Sequence, residues 1–356
     1  MSGDAGHAHD ALTDIVGGLM RHDAPGPPAP VEGAEPYVST GHLPPDRDVA
    51  ALVRDAYDRF RDHDEGAVST VYPALERADP EAFGLCLVTA DGRQYAAGRS
   101  KDALTLMSVA KPFVLALVAE ALGADTVRER VGVNATGLPF DSTAAVERSP
   151  DGRTNPMVNP GAIVTTSLLP GEGAQKWESL LAGLSAFAGR ELVLDDEVYA
   201  SASESNHTNR ALTWMLHRRG LLGCEPDLAL DLYTRQSCLR VSCTDLAVMG
   251  ATLADGGVNP LSGERVVSPI VCHHTLAVMI TAGLYETSGD WIYDVGQPGK
   301  SGISGGIVTV SPGKGALGVW SPPLDEAGNS VRGQLAARFL AARLGLDLLQ
   351  SASPKS

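Results

Sequence analysis

The placement of strand-like runs constrains this chain most. Phe83 to Thr89 and Gln94 to Ala97 are short runs joined by Ala90-Asp91-Gly92-Arg93, and they read as a hairpin. Near the other end of the chain, Gly305 to Val310 and Gly315 to Trp320 make a second hairpin across Pro312-Gly313-Lys314-Gly315. Most segments between them read as helices: Val109 to Leu122, Gln175 to Ala188, Asn209 to Arg219, Cys243 to Asp255 and His274 to Ala282. Val49, Leu52, Val53, Ala56 and Phe60 mark an earlier helix with Asp48 as N-cap, and Val331 to Leu344 a last amphipathic one. Hairpins from both ends with helices between predict an α+β fold. One antiparallel sheet is completed by both chain ends, flanked by helices, and holds a large helical insertion.

Residues 1–46 stand apart from this pattern. Seven of the 23 prolines lie between Pro25 and Pro45, with seven acids, one arginine and four of the nine histidines in the segment. Such a stretch buries too little apolar surface to offset its ordering entropy, so a disordered acidic tail is expected. The globular domain is expected over 47–350, with residues 351–356 a short disordered end. The formal charge is −15 and no basic run occurs, which argues against a nucleic-acid or anionic-membrane partner. The longest strongly apolar stretch, Pro112 to Leu122, contains Glu120 and is about half of a bilayer span. No membrane partner and a cytoplasmic location are therefore expected. Cys86, Cys224, Cys238, Cys243 and Cys272 are odd in number and dispersed, as suits reduced thiols.

Ser108-Val109-Ala110-Lys111 stands at the start of the apolar helix. At i and i+3 the hydroxyl and the amine share one helical face. A lysine there accepts the serine proton once burial lowers its pKa, and the helix N-terminus favours an oxyanion nearby. The bland alternative is an N-cap serine followed by a solvated lysine. Lys300-Ser301-Gly302, running into a strand, strengthens the first reading. Ser-x-x-Lys with Lys-Ser/Thr-Gly on a strand edge is the signature of active-serine acyl enzymes, whose strand lines the substrate cleft. Asn155-Pro156-Met157-Val158-Asn159-Pro160-Gly161-Ala162-Ile163 reads either as an Asx-turn before a helix or as a source of neutral amides for a polar substrate. No dinucleotide loop, Walker sequence or paired metal-ligand spacing is found, so neither a cofactor nor a metal is implied.

These segments, in this order, resemble the serine-dependent glutaminases, which share the β-lactamase and penicillin-binding-protein fold. The resemblance covers about Asp48 to Leu349. It also takes in Thr136 to Phe140, Leu253 to Gly257, Gly283-Leu284-Tyr285, Gly299 to Gly306, Ser321 to Asp325 and Gly328-Asn329-Ser330. It implies hydrolysis of the side-chain amide of glutamine to glutamate and ammonia through an acyl-serine. In this reading Ser108 is the nucleophile, Lys111 the base and Tyr233 a proton relay. The backbone N–H groups of Ser108 and Ile303 form the oxyanion hole, and Asn159, Asn209 and Tyr285 hold substrate. The partner is a small amide, and the resemblance implies a homo-oligomer, dimer or tetramer.

The chain departs from the family pattern around the substrate. The family's substrate-binding glutamate falls on Ala202 in Tyr199-Ala200-Ser201-Ala202-Ser203-Glu204, leaving Glu204 as the candidate replacement if the loop is re-routed. Thr208 replaces an arginine, Met107 the glutamine before the nucleophile, and Val71 the entrance-loop tyrosine, with Tyr72 displaced by one. The acyl-transfer residues survive while the shell that reads the amino acid is altered. That leaves room for an active-serine hydrolase on another small amide, or for a catalytically silent metabolite-binding paralogue.

Overall fold

The computed structural model describes Leu43 and residues 46–350. The expectations for most of the tail and for residues 351–356 lie outside the described residues. The first described helix runs Asp46–Phe60, three residues earlier than an N-cap at Asp48 predicts. Asp46 and Asp48 both fall in its first turn, where carboxylates meet the positive end of the helix dipole.

The main sheet is built as the two hairpins predict. Strands β1 (Gly84–Thr89) and β2 (Gln94–Gly98) pair antiparallel, as do β7 (Gly306–Ser311) and β8 (Gly315–Trp320). β1 joins the hairpins by pairing antiparallel with β8, in a register that sets Leu85 opposite Val319 and Leu87 opposite Leu317. A short strand that periodicity did not reveal, β6 (Gly299–Ser301), closes the far edge, giving the order β2-β1-β8-β7-β6.

Alternation along these strands feeds two cores. Leu85, Leu87, Ile307, Leu317 and Val319 face the helices Asp46–Phe60 and Val331–Leu344. Cys86, Val88, Val308, Val310 and Ala316 face the helical insertion. The helix Cys243–Ala254 lies flat on this second face. A Cβ on Gly318 would stand 2.2 Å from the carbonyl oxygen of Cys243, and one on Gly250 would stand 2.6 Å from the Ala316 methyl. Side chains at these two positions would push the helix off the sheet.

A second, three-stranded sheet was not predicted: β3 (Leu104–Thr105), β5 (Leu239–Val241) and β4 (Val193–Leu194), in the order β3-β5-β4. It ties the approach to Ser108 to the end of the helix that carries Tyr233. The helix Ala110–Leu122 is largely apolar and buried from Ala110 to Ala119 apart from Leu117. Among the described residues, no single helix is long and apolar enough to cross a membrane. Four of the five cysteines are buried and Cys224 is half-buried, all as free thiols.

Candidate active site

Ser108 sits in a 3-10 turn, Met107–Val109, that leads directly into the helix Ala110–Leu122. Met107 has φ +45°, a left-handed conformation that costs a non-glycine residue about 1–3 kcal/mol. Its surroundings hold it there. The Met107 side chain is buried with Leu75, Ala202 and Cys238, and the Leu106 N–H donates to the Leu239 carbonyl at 3.0 Å. The strained turn presents Ser108 to a cavity of about 110 Å³. This is well below the roughly 300–1,000 Å³ of sites for drug-sized ligands, so its occupant is small.

One turn on, Lys111 is 2% exposed inside an apolar helix. Burial pulls its amine down to about 7, partly opposed by the negative charge of Asp141. Its Nζ donates to Asn159 Oδ1 at 2.7 Å and to the Met157 carbonyl at 3.3 Å. A neutral amine has two N–H bonds and one lone pair. With its hydrogens engaged by Asn159 and the Met157 carbonyl, the neutral amine keeps its lone pair free of any protein donor among the described hydrogen bonds.

That lysine sets the direction of a buried chain of amides. Tyr233, on the helix Pro226–Ser237, also donates to Asn159 Oδ1, at 3.0 Å. With its oxygen taken up by two donors, Asn159 turns its Nδ2 to Asn209 Oδ1 at 2.9 Å. Asn209 in turn donates to Asn206 Oδ1 at 2.6 Å, and Asn206 to Thr234 Oγ1 at 3.0 Å. Every polar atom in the series meets its opposite, as burial demands. Burial pushes the Tyr233 hydroxyl well above its usual range, so it stays a phenol.

Tyr285 closes the other side, with φ +56°. Its hydroxyl donates to the Ser301 carbonyl at 3.2 Å and faces the Ser108 hydroxyl, and burial pushes it up to about 12. Its ring packs on Phe140 at 4.6 Å between centroids and lies 4.1 Å from Lys300 Nζ. Lys300 is fully buried rather than solvated, and donates to the carbonyls of Gly283 and Ser301 at 2.7 Å each. Burial and the like charge of Lys111 hold it well below its usual range. It fixes the end of β6, after which Ile303 lines the cavity. Among the described backbone bonds, no carbonyl takes up the N–H of Ser108 or of Ile303.

A sequence model of the family described as Glutaminase matches residues 66–349. The chain belongs to the glutaminase family. It is 60% identical to Glutaminase 2 of Yersinia pestis over 316 residues, 88% of this chain and 93% of that protein. It is 48% identical to a glutaminase of Brucella suis biovar 1 over 277 residues, 78% and 87% of the two chains. Among solved structures, the probable glutaminase ybaS superposes with a TM-score of 0.85 at 40% identity, over 86% of this chain and all of that one. A probable glutaminase from Bacillus subtilis, complexed with 6-diazo-5-oxo-L-norleucine, gives 0.77 at 29% identity, over 89% of this chain and all of that one. These likenesses carry the fold with them, an α+β glutaminase of the β-lactamase-like class.

Within this glutaminase, Ser108, Asn159, Asn209, Tyr233 and Ile303 line one cavity, with Lys111 bonded to Asn159 and Tyr285 packed on Phe140. Glu204 does not join them. Ala202 and Ser205 of the helix Asp196–Ser205 line the cavity, whereas Glu204 is exposed. Two residues on an α-helix are about 200° apart, so Glu204 faces away from any ligand that Ala202 meets. The helix continues without a re-routed loop, which removes the only way Glu204 could have reached the site. The lining also includes Asp141, Asn206 and Thr234, to which the sequence assigns no role, and Tyr72, the displaced entrance-loop tyrosine. Asn206 stands three residues before Asn209 on one face, a spacing that signals a shared role. The Tyr72 hydroxyl meets Asn209, and its ring packs with Ala202.

Proposed function

We propose that this chain hydrolyses the side-chain amide of L-glutamine to L-glutamate and ammonia through an acyl-Ser108 intermediate. The Ser108 Oγ attacks the amide carbon while its proton passes to the neutral Nζ of Lys111. The oxyanion is met by the N–H groups of Ser108 and Ile303, whose backbone bonds are otherwise unused. Preorganised donors of this kind each lower a barrier by about 3–4 kcal/mol. The proton held by Lys111 then moves to the amide nitrogen, with the Tyr233 hydroxyl as relay. The C–N bond breaks, leaving ammonia and a glutamyl ester on Ser108. Water attacks the ester, its proton goes to Lys111, and collapse returns a proton to the Ser108 Oγ as glutamate leaves. Asn159 and Asn209 hold the substrate.

The observation that carries this reading is the pairing of a cavity-facing serine with a fully buried amine one helical turn away, its pKa drawn down to about 7. Assembly into a homodimer or homotetramer remains part of the reading, supported by family membership and tested by sedimentation of the full chain. Replacing Ser108 with alanine tests the chemistry. Ammonia release from L-glutamine should fall by about a thousand-fold or more, with the melting temperature unchanged. A Ser108→Ala protein that keeps more than about a tenth of the activity overturns it.

A further inference from the structure

The cavity contains a carboxylate that the acyl-transfer chemistry does not use. Asp141 lines it alongside Ser108 and Asn159, and the rest of the lining is uncharged. Among the described residues its carboxylate forms no ion pair and accepts no side-chain hydrogen bond. An anion in that position gains little from the protein and is placed to meet a cation of the ligand.

The position of Asp141 is fixed by its neighbour. The Phe140 carbonyl accepts from the Asn159 N–H at 2.7 Å, and the Phe140 ring packs on Tyr285 at 4.6 Å. Asp141 is therefore held beside the start of the helix Asn159–Ser167, in the same cavity lining as Ala202 and Tyr72. Ala202 and Tyr72 carry no charge, and they belong to one apolar cluster with Met107. We infer that Asp141 binds the α-ammonium of the substrate.

This assignment rests on the amino-acid substrate proposed above, but its test reads binding rather than turnover. Full-length Ser108→Ala protein is titrated calorimetrically with L-glutamine and with glutaramate, the same amide and carboxylate without the α-ammonium. L-Glutamine should bind at least about ten-fold more tightly than glutaramate. Adding Asp141→Asn should weaken L-glutamine about ten- to a hundred-fold and change glutaramate by less than about three-fold, so that the preference disappears. Equal affinities for the two ligands in the Ser108→Ala protein overturn the assignment without any change at Asp141. So does an Asp141→Asn protein that weakens both ligands equally, or neither, as does failure of the Ser108→Ala protein to bind L-glutamine. A failure of the acyl-serine reading looks different: ammonia release that survives Ser108→Ala.

Discussion

Lys111 shows how one residue's environment determines its use. An amine serves as a base only when deprotonated, so kcat/KM for L-glutamine should rise as pH passes through about 7 and then level off. Asp141 favours the charged amine, so Asp141→Asn should move that rise to lower pH. A pH–rate profile of both proteins checks this. The same shift affects stability. The folded amine titrates near 7 and the unfolded one near 10.5, so between these values the unfolded chain holds more protons and stability rises with pH. Below about 7 both forms hold the proton and the slope vanishes. Lys300 is shifted in the same direction. Urea titrations from pH 7 to about 10 should show Lys111→Met with a smaller rise than the parent.

At the scale of elements, the helix Asp196–Ser205 decides between Ala202 and Glu204. Glu204→Ala should change KM for L-glutamine by less than about two-fold, because that face meets solvent. Ala202→Glu should lower the melting temperature and raise KM, since a carboxylate there would be buried among Leu75, Met107 and Cys238. Steady-state kinetics and thermal melts on the two variants test both. A linear motif shows that a glutamate is two residues away but not that two residues turn a helix face over. The hairpins and long helices were legible because their periodicity extends over several turns or pairs. The second sheet was not, since strands of two or three residues carry no period. The helix Asn159–Ser167 is buried throughout, so it shows no alternation of an apolar and a solvated face, and its Asn-Pro start reads as a turn. The helix Pro269–Ala282 begins five residues before the predicted His274, although Pro269 after Ser268 is a start signal that was available.

For the whole molecule, the sheet that joins both chain ends sets Lys300 and Ile303 of its edge against Ser108 from the helical layer, so the site exists only when both cores are formed. Residues 1–42 carry the tail composition and lie outside the described residues. Removing them should shift the melting temperature by less than about 2 °C, the shift expected from about 1 kcal/mol in a domain of this size. Limited proteolysis followed by calorimetry checks it. The central claim is that glutamine chemistry passes through a covalent bond to Ser108. Its most direct measurement is intact-mass and peptide-level mass spectrometry after exposure to 6-diazo-5-oxo-L-norleucine, the compound found with the Bacillus subtilis relative. One adduct per chain is expected, on the peptide carrying Ser108, slowed by L-glutamate and absent from Ser108→Ala. An adduct on another residue, or none from a protein that still releases ammonia from L-glutamine, would contradict it.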